Sequence, residues 1–122
     1  MNLPQIKEKE FSLETIATKG SNKLTVKMKG EINLQDPFPV LEPFFIAVHK
    51  SACADNFVMV NVDLKQLKFI SSSGIKVIIN WIKMMCEENA YKIHFICDLG
   101  NTWQKLSVSV LKSLAVDKIS YE

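Results

Sequence analysis

Residues 69–75 read FISSSGI and separate two apolar segments of different character. The segment before them, VMVNVDLKQLKF at 58–69, is typical of a strand, and the segment after them, KVIINWIKMM at 76–85, has the spacing of a helix. Three serines and a glycine therefore lie where a helix is predicted to begin. Because the first amides of a helix lack partners within the helix and carry partial positive charge, this position stabilises anions. A serine here can carry a phosphate.

The composition, 48% hydrophobic and 23% charged over 122 residues, is that of a globular domain with a sizeable core. We predict a single domain over residues 1–122. The N-terminal residues are polar where a signal peptide needs an apolar core, and no apolar run is long enough to insert into a membrane. Cys53, Cys86 and Cys97 are odd in number and lie in mostly apolar segments, which favours free thiols in a reducing compartment. We therefore expect a cytoplasmic protein.

The basic residues argue against a nucleic-acid partner. The formal net charge is only +2, and all 15 basic residues are lysine. Recognition of bases and phosphates relies strongly on the planar arginine fork, and these lysines are scattered among acidic residues instead of forming a stripe. We expect no binding to nucleic acid.

Five strands are predicted from the apolar pattern. Residues 11–17 and 24–32 alternate between apolar and polar and form an opening hairpin. Residues 57–64 are apolar at nearly every position, as in a strand covered on both faces, and residues 91–98 repeat that character more weakly. A short strand at 116–121 closes the chain. The predicted fold class is α/β, with a mixed sheet of about four or five strands and parallel central strands.

About three or four helices are predicted, and three of them alternate with the later strands. The first is expected to begin near Pro43, after a proline-rich loop. The second covers residues 72–89. The third begins at NTWQ, where Asn101 and Gln104 have the spacing of a capping box. Its predicted apolar face consists of Trp103, Leu106, Val110, Leu111 and Leu114.

The second helix carries two sets of apolar residues. One stripe is predicted to face the core and contains Ile75, Ile78, Ile79, Ile82, Met85 and Cys86. A flank beside it contains Val77, Trp81 and Met84. Either a neighbouring helix or loop covers this flank, which is the commoner situation, or the flank is a docking patch.

Residues 60–82, VNVDLKQLKFISSSGIKVIINWI, resemble the signature of the STAS family, named for sulphate transporters and anti-sigma-factor antagonists. In that signature a strand is followed by a hydrophobic-x-DSSG-hydrophobic loop that opens a helix. GEINLQD at 30–36 is similar to the family's loop after the second strand, and residues 108–122 are similar to its closing helix and last strand. The resemblance implies a STAS-like fold over nearly the whole chain.

The resemblance also implies a function. In the antagonist branch, which belongs to bacterial partner switching and transcription regulation, a kinase that doubles as an anti-sigma factor phosphorylates the first serine of DSSG, and a PP2C-type phosphatase removes the phosphate. By position the phosphorylated residue is Ser72, and Ser73 and Gly74 match the rest of the motif. Ser71 stands where the family has aspartate.

We expect the partner to bind the loop before the second helix and the exposed flank of that helix. The predicted partner-binding residues are Ser71, Ser73, Gly74, Lys76, Val77, Trp81 and Met84. Lys76 and Lys68 are candidates to compensate part of the phosphate charge. The alternative is an unphosphorylated STAS scaffold or a sensor subunit of a larger regulatory or transport complex.

No catalytic or metal site is predicted. A nucleophile elbow, GxSxG, needs glycine at the position of Ile70. His94 and Cys97 are three residues apart in a predicted strand and point to opposite faces. His49 and Cys53 share a helical spacing of four, but two ligands without nearby partners fall short of a zinc site. We expect a protein that is not an enzyme and has no cofactor, with ATP bound by its partner.

Overall fold

Strands and helices alternate through most of the chain in the computed structural model, which describes residues 3–18, 20, 22–98 and 100–122. The six strands of the described residues form one sheet, in which the order of the strands equals their order in the sequence. The elements are β1 Gln5–Lys7, β2 Phe11–Thr18, β3 Lys23–Ile32, α1 Phe38–Ala54, β4 Met59–Ile70, α2 Ser72–Glu88, β5 Lys92–Ile96, α3 Thr102–Ser113 and β6 Ile119–Tyr121.

The sheet has an antiparallel half and a parallel half. β1, β2 and β3 pair antiparallel, whereas β3, β4, β5 and β6 pair parallel and are joined by the three helices. The predicted mixed α/β sheet with parallel central strands is confirmed. The strand that the prediction lacked is β1, because three residues at a sheet edge are too few to show a period.

The helices cover one face of the sheet. Connections between parallel strands are right-handed, so an unbroken strand order places successive helices on the same side. Burial agrees, because alternate residues of the central strands are fully covered; these are Leu24, Val26, Val60, Val62, Ile93 and Phe95. The expectation that the strand after α1 is covered on both faces is wrong, since Met59, Asn61 and Asp63 are only half-buried.

The first helix begins earlier than predicted. It starts at Phe38 and contains Pro43 in its interior, on an exposed position. The proline that occupies the first turn is Pro39, where the missing amide costs nothing. The early start brings Leu41, which is fully buried, into the core.

The predicted apolar face of the third helix is wrong for three of its five residues, whereas Leu111 is buried and Trp103 is partly buried against the core. Leu106, Val110 and Leu114 are 64%, 60% and 47% exposed. The buried residues of α3 are Gln104, Val108 and Leu111. Asn101 precedes the helix as its N-cap but makes no side-chain capping hydrogen bond, so the predicted capping box is absent.

Gln104 is fully buried, and its side chain forms hydrogen bonds with the backbone of the sheet instead of capping α3. Its Nε2 donates to the carbonyl oxygens of Leu64 and Leu67 at 2.7 and 2.8 Å, and its Oε1 accepts from the Asp98 amide at 2.9 Å. The pairing of β4 with β5 ends at Asp63, so the later carbonyls of β4 need another donor. Gln104 supplies it and fixes α3 to β4.

Replacement of Gln104 is expected to destabilise the fold. Gln104→Leu keeps the volume but leaves two buried carbonyls and one amide without partners, and a buried unsatisfied group costs roughly 1–3 kcal/mol. We expect a loss of at least about 2 kcal/mol in the free energy of unfolding, measured by urea denaturation. Gln66→Leu, at an exposed position of β4, is the control and should change it by less than about 0.5 kcal/mol. Equal effects of the two variants would contradict the assigned role.

None of the helices in the described part of the chain combines the length and the apolar character needed to cross a membrane.

Candidate functional site

The serine loop lies at the carboxyl edge of the parallel strands. β4 continues to Ile70, which pairs with Ile32 at the end of β3. Lys68 is therefore an exposed residue of the strand. The amide of Ser71 donates to the Ile32 carbonyl at 3.0 Å, which extends the contact between the two strands by one residue. The start of α2 is thus held directly against the sheet.

Ser71 is the N-cap of α2. Its backbone is extended, with φ −67° and ψ 160°, and its Oγ accepts a hydrogen bond from the Gly74 amide at 3.2 Å. This contact satisfies one of the amides that have no partner within the helix. Serine and aspartate are both favoured N-cap residues, and serine caps without a negative charge.

Ser72, the predicted phosphorylation site, is the first residue of α2 and is exposed. Ser73 beside it is half-buried. Lys76 follows Ser72 by one helical turn and is exposed, as is Lys68. Of the three serines, Ser72 is therefore the one that is most exposed, at the N-terminus of the helix.

Gly74 allows α2 to approach the end of β4 closely. A Cβ at this position would lie 2.7 Å from Cγ1 and 3.1 Å from Cδ1 of Ile70. Real Cβ atoms do not come that close to carbon, so any larger residue displaces Ile70. Gly74 is buried, and its role is to let the helix pack against the strand.

The predicted flank of α2 is mostly covered. Val77 and Trp81 are 1% and 0% exposed, and the ring of Trp81 packs on Phe45 of α1 with centroids 5.0 Å apart. The expectation that these two residues are accessible to a partner is wrong, because α1 covers them. Met84 is half-buried and borders a groove of about 280 Å³ between α1 and α2, together with Asn80.

A second group of polar side chains lies at the far end of the α1–α2 contact. His49 Nε2 is 2.9 Å from Glu88 Oε2, and the Cys53 thiol donates to the same oxygen at 3.3 Å. Cys53 Sγ lies 3.7 Å from His49 Nε2. The spacing of His49 and Cys53 is visible in the sequence, but Glu88 comes from another helix and no local pattern indicates it.

This group continues into the core through hydrogen bonds. His49 Nδ1 is 2.8 Å from the hydroxyl of Tyr91, and Trp81 Nε1 donates to that hydroxyl at 2.8 Å. Desolvation, and then the hydrogen bond to Glu88 and its charge, raise the pKa of the Cys53 thiol. Hydrogen bonds from Cys53 and then His49 hold the pKa of Glu88 below its usual value. Burial strongly raises the pKa of Tyr91.

Comparison with solved structures identifies the fold. An anti-sigma factor antagonist from Mycobacterium paratuberculosis aligns over 85% of this chain and 81% of its own, with a TM-score of 0.62 and 19% identity. The anti-sigma factor antagonist SpoIIAA, in its unphosphorylated form, aligns over 77% of this chain and 79% of its own, with a TM-score of 0.55 and 14% identity. The chain has the STAS fold.

A further structure with the STAS fold is an uncharacterised protein with a SpoIIAA-like fold from Shewanella loihica, with a TM-score of 0.56 and 13% identity over 93% of this chain and 86% of that one. No protein-family model matches the sequence. No curated protein matches it either. At these identities the likeness is one of fold, which the predicted resemblance to the STAS family anticipated.

Substitutions at the serines should distinguish the structural role of Ser71, the N-cap, from that of Ser72 beside it. Ser71→Ala removes the acceptor of the Gly74 amide and should lower the free energy of unfolding by about 1 kcal/mol. Ser71→Asp keeps an acceptor and adds a charge that the helix dipole favours, so stability should be equal or higher. Ser72→Ala should change the free energy of unfolding by less than about 0.5 kcal/mol. Urea denaturation tests all three, and a larger loss for Ser72→Ala than for Ser71→Ala would contradict the assignment.

A double-mutant cycle tests the role of Gly74. Alanine in a helix is favoured over glycine by about 1 kcal/mol, whereas overpacking costs about 1–3 kcal/mol. Gly74→Ala should therefore destabilise the wild-type chain and stabilise the Ile70→Ala variant, in which the clashing atoms are gone. The free energies of unfolding of the four proteins measure this coupling. An equal effect of Gly74→Ala in both backgrounds would show that Ile70 does not require the glycine.

Proposed function

We propose that the chain is a single-domain regulatory module of the anti-sigma-factor antagonist type, without enzymatic activity, and that reversible phosphorylation of Ser72 switches its binding to a protein partner. The observation that carries the proposal is the exposed Ser72 hydroxyl at the N-terminus of α2 in a STAS fold. The structures with this fold include two anti-sigma factor antagonists, one of them in an unphosphorylated form.

The local electrostatics support a phosphate on Ser72. A phosphoserine carries about −1.5 to −2 charges at neutral pH. The helix N-terminus favours negative charge, and two lysines close to Ser72 in the sequence are exposed, Lys76 one helical turn further along α2 and Lys68 near the end of β4. Because Ser72 is not the cap and is not buried, the phosphate disturbs neither the Ser71 contact nor the core. The fold therefore persists in both states, and the change is confined to the surface that a partner contacts.

The partner-binding surface that we propose differs from the one predicted from sequence. Val77 and Trp81 are covered by α1, so they support the surface from beneath. The accessible residues near Ser72 are Lys76 on the same face of α2 and Phe69, which is 43% exposed at the end of β4. We propose that these residues and Ser73 contact the partner, with Met84 and its groove at the border.

The proposed partners are an anti-sigma-factor-like protein kinase, which supplies the ATP, and a PP2C-type phosphatase, acting in the cytoplasm.

One feature of the sequence favours a second candidate function. Ser71 replaces the aspartate of the DSSG motif, so any assistance that this aspartate gives to phosphate transfer or kinase recognition is absent here. An unphosphorylated scaffold or sensor subunit of a larger complex is the alternative that this replacement supports.

Phosphorylation can be tested with the cognate kinase, which should be sought among histidine-kinase-like ATPases encoded by neighbouring genes. Incubation with the kinase and ATP should add one phosphate, located at Ser72 by mass spectrometry of peptides. Ser72→Ala should abolish the addition, whereas Ser73→Ala should retain it. Ser71→Asp should accelerate it if the family's aspartate assists the reaction. A phosphate on Ser73, or none on any serine even in Ser71→Asp, would reject the switch and favour the scaffold.

The binding readout uses a pair of variants matched in size. Ser72→Asp places one negative charge at the N-terminus of α2, and Ser72→Asn places a neutral side chain of similar volume there. We expect Ser72→Asp to fold as the wild type does and to bind the kinase at least about tenfold more weakly, a difference of roughly 1.4 kcal/mol, while Ser72→Asn binds nearly normally. Isothermal titration calorimetry measures both affinities. Equal binding by the two variants would show that charge at Ser72 does not control the interface.

A further inference from the structure

We propose that His49, Cys53 and Glu88 form a binding site for a zinc ion at the junction of α1 and α2. The three side chains offer an imidazole nitrogen, a thiolate sulfur and a carboxylate oxygen, which are the donors that zinc prefers in proteins. His49 and Cys53 lie one helical turn apart on α1, and Glu88 is the last residue of α2. A metal bound here would therefore join the ends of two helices.

The spacing of the donor atoms is already close to that of a metal site. Zinc lies about 2.0–2.2 Å from nitrogen or oxygen and about 2.3 Å from sulfur, so a tetrahedral site needs donor atoms roughly 3.4–3.6 Å apart. The observed distances are 2.9 Å from His49 Nε2 to Glu88 Oε2, 3.3 Å from Cys53 Sγ to that oxygen, and 3.7 Å from Cys53 Sγ to His49 Nε2. Each differs from the required value by no more than about 0.5 Å. Small side-chain rotations make the triangle fit.

Tyr91 and Trp81 orient the histidine as the outer partners of a metal ligand do. A ligating His49 Nε2 must be free of hydrogen, which places the proton on Nδ1, 2.8 Å from the Tyr91 hydroxyl. That oxygen has two lone pairs, so it accepts from His49 Nδ1 and from Trp81 Nε1 together. His49 is 6% exposed, and these buried contacts hold its ring in the orientation that directs Nε2 toward Cys53 and Glu88.

The charges of the site suit a divalent cation. When the sulfur binds the metal, the thiol of Cys53 releases its proton to solvent, and the resulting thiolate with the Glu88 carboxylate balances the two positive charges of zinc. Lys50 and Glu87 line the same groove and offset one another. The groove has a volume of about 580 Å³, and the side chain of Glu88 is 60% exposed, so water or a ligand can reach the fourth coordination position.

The inference does not rest on the proposed switch at Ser72. The metal site lies at the last turn of α2 and Ser72 at its first residue, and a helix of 17 residues is about 25 Å long. Failure of one proposal therefore leaves the other untouched.

Cobalt provides a spectroscopic test with the full chain, prepared without a tag and kept reduced. We expect Co²⁺ to bind in a ratio of one ion per chain, with a thiolate-to-cobalt charge-transfer band and the visible absorption of a four-coordinate complex. Zinc should displace the cobalt, because it binds nitrogen and sulfur donors more tightly. Zinc should also raise the midpoint of thermal unfolding, since it binds only the folded arrangement.

Matched variants assign the ligands. Cys53→Ser should abolish the charge-transfer band, and Cys86→Ser, a change of the half-buried cysteine on α2, should retain it. Glu88→Gln should weaken cobalt binding by at least about tenfold, whereas the neighbouring Glu87→Gln should leave it unchanged. All four positions have solvent-accessible or half-buried side chains, so the variants are expected to fold. Absence of the band in the wild type, or a band and affinity that survive Cys53→Ser and Glu88→Gln, would overturn the proposal.

Discussion

The parallel pairing of β3 with β4 is the constraint on which the rest of the molecule depends. The two strands are paired from Lys23 and Met59 at one end to Ile32 and Ile70 at the other. Because they end together, the segments that follow them emerge at one edge of the sheet. The bond from the Ser71 amide to the Ile32 carbonyl then fixes the first residue after β4. The exposed position of Ser72 follows from this arrangement of the backbone.

The contact between α1 and α2 is apolar at its centre and polar at one end. The rings of Phe45 and Trp81 pack in the core in a tilted arrangement. The indole nitrogen of Trp81 is the first member of a series of hydrogen bonds that leads through Tyr91 to His49. A polar series of this kind is tolerated because the buried N–H groups of Trp81 and His49 have acceptors. The packing that buries the aromatic rings is thus also the packing that sets the distance from His49 to Glu88.

The parts of the structure that depend on local spacing are predictable from the sequence. The period of α2, the hairpin of β2 and β3, and the serine loop at a helix start are each visible within a few residues. In physical terms, such patterns report which side of one element is apolar. They also suffice for the resemblance to the STAS family and therefore for the fold.

The features that the sequence does not reveal depend on distant partners. Gln104 is buried because carbonyls of β4 without a neighbouring strand need its amide as a hydrogen-bond donor. The sequence shows no sign of this contact. Its apolar pattern indicates Leu106 and Val110 instead, and both face solvent. Glu88 meets His49 across 39 residues of chain. The early start of α1 could not be predicted because prolines usually occupy the first turn of a helix, so Pro43 indicated a start near residue 43. In the structure Pro43 lies inside the helix.

An unbroken strand order has a consequence for the way in which the chain acquires its structure. Each strand of the sheet pairs with the strand that precedes it in the sequence, so none has to wait for a later strand before it can be placed. The β2–β3 hairpin closes a short loop, whereas each parallel pair closes only across an intervening helix and is therefore expected to form more slowly. Because synthesis runs from the N-terminus, the neighbouring strand of each later strand has already been made when that strand leaves the ribosome. The architecture is therefore suited to assembly in the direction of synthesis.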